Sequence, residues 1–302
     1  MYVVANLDEC KKLMVETLKF IDEICKENNI EYCLEFGTLL GAYRHKGFIP
    51  WDDDVDIAMT RENYNKFIKH MKKNSNPHFY LLHKDTKEGY PFEFAKIMMK
   101  DTVVVIDDDG ANMIMDRGIF IDIFTLDFYK ENVSRKYRKF IRQIENARKK
   151  SVIDAVNSKL YKIIFKTFRA VSKIFIPFNL VEKAKKKYIS EDGKYIGFAI
   201  EQTDEMMCER KYYLPLKKIE FEGYMFPCPN NVEHILECEY GSTYMELPPE
   251  DKRVRHFEYG AMEEEVAKRY GIDIIGRKKY SYEEILNKGE KNEGFISDSA
   301  SL

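Results

Sequence analysis

Between Glu35 and Met59 the chain reads EFGTLLGAYRHKGFIPWDDDVDIAM, and its chemistry lies in the acids Asp52, Asp53, Asp54 and Asp56. Asp54 and Asp56 occupy alternate positions in an apolar pattern, so on a strand both carboxylates share one face, about 7 Å apart along it. Such a pair suits a hard divalent cation. Burying either acid without a partner is unfavourable. Taken alone, the run Asp52-Asp53-Asp54 also fits a solvated loop; the apolar frame around Asp56 argues for a site. A third acid, Asp122, interrupts the apolar stretch GIFIDIFTL over residues 118–126. In a central strand it needs a metal or a buried basic partner, and membership of the metal site is the reading taken.

Other polar groups cluster near the acids in sequence. Gly37-Thr38 follows a strand pattern, and a small-residue turn there exposes backbone N–H groups to a phosphate. Arg44, His45 and Lys46 can meet phosphate oxygens or form a solvated basic turn beside Trp51, the only tryptophan. Far downstream, Arg253, Arg255 and His256 follow Pro248-Pro249 in a loop whose cations can face an anion.

The elements that must position these groups are legible from periodicity. Apolar residues at steps of three and four predict a helix over Leu7 to Glu27. Alternation from Ile30 to Phe36 predicts a strand running into the Gly37-Thr38 turn, then a short helix from Leu39 to Tyr43. Thr60 is the expected N-cap of a helix over Glu62 to Lys72 that buries Tyr64, Phe67, Ile68 and Met71. Strands follow at 79–83, 92–98, 102–106 and 118–126. Asp107-Asp108-Asp109-Gly110 reads as a turn, since the remaining ligands of a calcium loop are missing. Later come a hairpin over Lys217 to Phe226 and a helix over Asn231 to Glu239. The tail from Lys288 is polar and reads as disordered.

A change of character near residue 130, to a glycine-poor, Lys/Arg-rich helical stretch, suggests three regions. These are a catalytic core over 1–130, a helical and hairpin region over 131–260 that completes the substrate site, and C-terminal helices with a tail over 261–302. Within the middle region, Ser158 to Ile176 alternates apolar and basic residues. That suits a helix on an anionic membrane surface, and equally one packed on its own domain with solvated lysines.

Across 302 residues, 44% are apolar, ample for a core, and 49 Lys+Arg against 51 Asp+Glu give net charge -2. No overall basic bias favours nucleic acid. The N-terminal residues carry no basic-then-apolar leader and no window is apolar enough to span a membrane, so the protein reads as cytoplasmic. Six cysteines without CxxC or zinc-type spacing read as reduced thiols.

The segment from Gly37 to Ile57, together with Ile121-Asp122-Ile123-Phe124-Thr125-Leu126-Asp127 and the stretch from Tyr240-Gly241 to Leu247-Pro248-Pro249-Glu250-Asp251-Lys252-Arg253, resembles the LicD family of bacterial phosphocholine transferases, related to the fukutin group. The resemblance spans roughly residues 15 to 257. It implies an α+β, nucleotidyltransferase-like fold, a mixed sheet flanked by helices with an additional mainly helical region. It also implies a catalytic and metal-holding set of Asp54, Asp56 and Asp122, binding Mg²⁺ or Mn²⁺ in its place. Gly37, Thr38, Arg44, His45, Trp51, Asp52, Lys96, Arg253 and His256 are the expected substrate contacts. Ser242 stands where many members carry Asp. The implied reaction moves a phospho-alcohol from CDP-choline or another CDP-alcohol to a sugar hydroxyl of a teichoic acid or other cell-surface glycan precursor, lipid-linked and reached at the cytoplasmic membrane face, releasing CMP. Two rival readings are nucleotidyl transfer with release of pyrophosphate, and a non-catalytic binding module of the same fold.

Overall fold

The computed structural model describes residues 1–90, 92–105, 117–146, 163, 166–167, 170, 178–203, 205–253, 255 and 259–289. The expected turn at Asp107-Gly110, His256, nearly all of Ser158–Ile176 and the tail beyond 289 lie outside them.

The expected first helix is α1 (Leu7–Glu27), preceded by strand β1 (Tyr2–Ala5). Asn6 caps it: its side chain accepts from the Glu9 N–H, while the Glu9 carboxylate accepts from the Asn6 N–H, a reciprocal capping box. The next strand is shorter than alternation predicts: β2 covers only Cys33–Leu34. The chain turns at Phe36, whose backbone enters the left-handed region at φ 47°, and α2 (Phe36–His45) starts there. Gly37 and Thr38 therefore lie in the first turn of a helix, not in a free-standing turn.

Strand β3 (Asp56–Thr60) leads into α3 (Arg61–Lys73), which buries the four apolar residues expected of it. The strands β4 (Phe79–Leu82), β5 (Ala95–Met99), β6 (Thr102–Val105) and β7 (Phe120–Tyr129) follow, the last three residues longer than its predicted end. Then come α4 (Arg135–Asn146), α5 (Phe178–Lys186), β8 (Tyr195–Phe198), β9 (Met207–Glu209) and α6 (Arg210–Tyr213). The hairpin β10 (Lys217–Phe221) and β11 (Tyr224–Cys228), helix α7 (Val232–Tyr240), strand β12 (Tyr259–Glu263), α8 (Glu264–Arg269) and α9 (Tyr282–Gly289) complete the described chain.

The main sheet has the order β2-β3-β7-β5-β4, with β8 on β7 and β9 on β8. It is mixed, since β3 runs parallel to β7 while β2, β5 and β8 pair antiparallel. This is the α+β architecture expected. A three-stranded sheet, β1-β12-β6, packs over its own small apolar cluster around Val103, Tyr259 and Ile285. The main core lies between α1, α3 and the sheet, with Leu13, Leu18, Phe67, Ile57, Ile97 and Ile121 among its buried members. All six cysteines are free, and five are buried. No helix among the described residues is long and apolar enough to cross a membrane.

Candidate active site

The site is assembled where α2 meets the start of β3. The Glu35 N–H donates to the Asp56 carbonyl at 3.1 Å, and the Asp56 N–H donates to Thr38 Oγ1 at 2.9 Å. Thr38 is buried, so its hydroxyl acts as a clip between helix and strand. Gly37 brings the helix start against an acid: a Cβ there would lie 2.7 Å from Asp52 Oδ2. A carboxylate at a helix N-terminus is favoured by the helix dipole and the unpaired N–H groups of the first turn.

The loop between α2 and β3 is held from three sides. The buried Lys11 ammonium donates to the carbonyls of Ile49 at 3.2 Å and Pro50 at 2.9 Å. Glu222, in the β10–β11 turn, accepts from the Phe48 N–H at 3.0 Å. At Gly41 the helix backbone passes so close to the loop that a Cβ would sit 2.5 Å from the Gly47 carbonyl oxygen.

This anchoring concentrates the acids. Asp52, Asp53 and Asp54 each offer a carboxylate oxygen within 4.8 Å of the others, and Asp53 is only 1% exposed. Asp54 does not lie in the strand as expected, because β3 begins at Asp56; the loop, not strand alternation, sets its position. Asp56 and Asp122 are register partners across parallel β3 and β7, and Asp122 is the partner of Lys96 across β7 and β5. Three charged residues thus line up on adjacent strands. Lys96 Nζ donates to Asp122 Oδ1 at 2.5 Å, so the buried basic partner weighed against a metal role is present. Lys96 is 4% exposed, with its ammonium 3.6 Å from the Phe120 ring centre and 5.3 Å from that of Phe94. Burial pushes the Asp56 carboxyl well above the usual range; the charges of Asp54 and Asp122 push the same way and Lys96 opposes them.

The remaining expected contacts sit elsewhere around α2. Arg44 and His45 occupy its C-terminal end, seven residues and so about 10 Å along the axis from Gly37. The Arg44 guanidinium donates to the carbonyls of Tyr244 at 3.0 Å and Glu246 at 3.4 Å, and its Nε to His45 Nε2 at 2.9 Å. It secures the loop after α7. Burial first, then Arg44, lowers the His45 pKa. The Arg253 guanidinium lies 4.5 Å from the Trp51 ring centre, joining the third sequence motif to the first.

Sequence reasoning missed a second acidic pair. Glu35 is fully buried, accepts from the Tyr213 hydroxyl, and lies beside Glu239, whose two carboxylate oxygens are also buried. Burial pushes Glu35 up to about 7. Burial and then the charge of Glu35 push Glu239 up as well. Glu35 falls among the polar alternates of the Ile30 to Phe36 strand pattern and Glu239 lies on a partly polar helix, so neither carries a mark of its burial in the sequence.

A family model described as LicD/FKTN/FKRP, nucleotidyltransferase domain, matches residues 29–142 and 121–231. The chain belongs to the LicD family. Its acidic segment, the β7 acid and the helix–strand clip all fall within the matched residues. The LicD lipopolysaccharide cholinephosphotransferase of Haemophilus influenzae is 28% identical over 268 residues, 83% of this chain and 96% of that protein. The human ribitol 5-phosphate transferase FKRP is 39% identical over 54 residues, 18% of this chain and 11% of that protein. As a LicD-family member the protein is a phosphotransferase.

Proposed function

We propose that this LicD-family protein transfers phosphocholine from CDP-choline to a sugar hydroxyl of a cell-surface glycan precursor, such as a lipopolysaccharide or teichoic acid intermediate, and releases CMP. The observation that carries the reading is the alignment of Asp56, Asp122 and Lys96 across three adjacent strands, beside a loop that gathers three further acids. Similarity to the Haemophilus cholinephosphotransferase over nearly its whole length supports the choice of phosphocholine.

Carboxylates gathered this closely fit a divalent cation. Hard oxygen donors of this kind favour Mg²⁺ shared with substrate phosphate. Asp54, Asp56 and Asp122 would hold it, with Asp52 and Asp53 adjacent. Bound there, Mg²⁺ supplies positive charge for the diphosphate of the donor. The chain's own groups do the rest. The N–H groups of the first turn of α2, near Gly37 and Thr38, face the diphosphate. Lys96 fixes Asp122 for the acceptor. The acceptor oxygen forms a bond to the choline-bearing phosphorus while that phosphorus loses its bond to the bridging oxygen. CMP departs with the bonding pair, and the hydroxyl proton passes to Asp122 as general base.

Product analysis with CDP-choline labelled in the choline-bearing phosphate tests this directly. The label is expected in the acceptor glycan with unlabelled CMP released. Transfer of CMP to the acceptor, or pyrophosphate released from CTP, would instead support nucleotidyl transfer.

A further inference from the structure

A group of aromatic rings lies on the face of the sheet that carries Asp122, and the transfer chemistry above does not use them. Phe124 follows Asp122 by two residues on β7, and alternate strand residues share a face; both are half-buried. Phe94 lies 4.7 Å from Phe124 and Phe36 meets Phe124 edge-on at 5.2 Å, centre to centre. Phe36 also stacks at 4.8 Å on Phe198, which is fully buried. Phe36 and Phe124 thus rest against the buried Phe198, and Phe94 packs on Phe124, beside the acidic site.

Two observations suggest what the rings receive. Phe36 holds its bulky side chain at φ 47°, a conformation in which a large residue is strained, and such strain concentrates at functional sites. The same array already accommodates a positive charge, because the Lys96 ammonium lies over Phe120 and Phe94. Phe94 thus belongs both to the rings around that cation and to the group beyond it. Ring faces attract cations through their quadrupole.

We propose that Phe36, Phe94 and Phe124 form a shelf for the quaternary ammonium head group of the transferred alcohol. The inference rests on the phospho-alcohol transfer reading and narrows it. A trimethylated nitrogen has no N–H to leave unsatisfied against the rings, and its methyl groups gain from apolar burial. A primary ammonium or a polyol loses hydrogen bonds to water there.

The test is steady-state CMP release from CDP-choline, CDP-ethanolamine and CDP-ribitol by the full chain with Mg²⁺. Wild type is compared with Phe36→Leu and Phe124→Leu, and thermal unfolding confirms folding. Should either variant fail to fold, Phe94→Leu gives the same comparison. Wild type is expected to prefer CDP-choline. Each variant should lower the ratio of kcat/KM for CDP-choline over CDP-ethanolamine by about tenfold, chiefly through KM. Equal losses on both donors, or a wild-type preference for CDP-ethanolamine or CDP-ribitol, would overturn the shelf while leaving phospho-alcohol transfer intact. Absence of CMP from all three donors would overturn the transfer reading itself, and the shelf with it.

Discussion

Asp122 stands between two partners of opposite charge: Asp56 opposite it on β3 and Lys96 opposite it on β5, the latter hydrogen-bonded at 2.5 Å. Lys96 is paired with Asp122, while burial and then the charges of Asp54 and Asp122 disfavour the ionised form of Asp56. Asp56→Asn removes one of the mutually repelling carboxylates. It should raise the thermal midpoint in EDTA while lowering CMP release by at least about a thousandfold, the scale expected when a group stabilising transition-state charge is lost. Calorimetric unfolding beside an activity assay checks both halves, and a variant that is destabilised in EDTA would refute the repulsion argument.

Lys96→Met leaves Asp122 charged and without its buried partner. Breaking one side of such a pair typically destabilises by about 3–5 kcal/mol. Lys96→Met combined with Asp122→Leu should be less destabilised than Lys96→Met alone, because neither charge is then stranded. Urea unfolding of the single and double variants measures the coupling.

How much of this was legible beforehand divides by range. The acids at 52–56 and 122, the helix of Leu7 to Glu27 and the hairpin at 217–226 could be read from spacing, because their signals are local. The Lys96–Asp122 pair could not, since a strand lysine carries no mark of its cross-strand partner. Phe36 misled the strand assignment: its apolar side chain continues the alternation, while its left-handed backbone ends the strand and starts α2. Period alone puts Asp54 on the strand, whereas the loop clamped by Lys11 and Glu222 determines where it sits. Glu239 reaches Glu35 only through tertiary packing of α7.

Tight backbone packing at Gly41 gives a steric prediction. In Gly41→Ala the new methyl meets the Gly47 carbonyl at 2.5 Å and the Ile49 nitrogen at 3.0 Å, both backbone atoms that cannot swing aside. Overpacking of this kind destabilises by about 1–3 kcal/mol. Because the displaced loop carries Asp52 to Asp54, turnover should fall as well. Wild-type stability in this variant would show that the loop is free to move.

The contact between Arg253 and Trp51 ties the third motif to the first. A double-mutant cycle with Arg253→Ala and Trp51→Leu should give a coupling of about 0.5–1 kcal/mol, the value for a partly exposed cation–π pair. Zero coupling in denaturant unfolding would mean that the two side chains contribute independently.

His83 sets a pH dependence. It is buried, and its Nδ1 accepts from the Asp85 N–H at 3.2 Å, which only an unprotonated Nδ1 can do. Burial lowers its pKa below the ordinary value of 6.5. As pH falls through about 6.5, the unfolded chain takes up a proton that the folded ring resists, so this residue's contribution to stability declines toward acid. Comparing urea midpoints at pH 7.5 and 5.5 in wild type and His83→Gln isolates the effect and cancels other groups, including Glu35, whose raised pKa acts in the opposite sense. The variant should lose less stability on acidification than wild type, and an equal loss would contradict the assignment.

Phospho-alcohol transfer, as proposed, depends on the aligned acids Asp56 on β3 and Asp122 on β7. CMP release from CDP-choline with Mg²⁺ is measured for wild type, Asp56→Ala and Asp122→Ala, the register partners across the two strands, alongside circular dichroism. Turnover is expected in wild type and its loss in both folded variants. Wild-type turnover in both variants would contradict it.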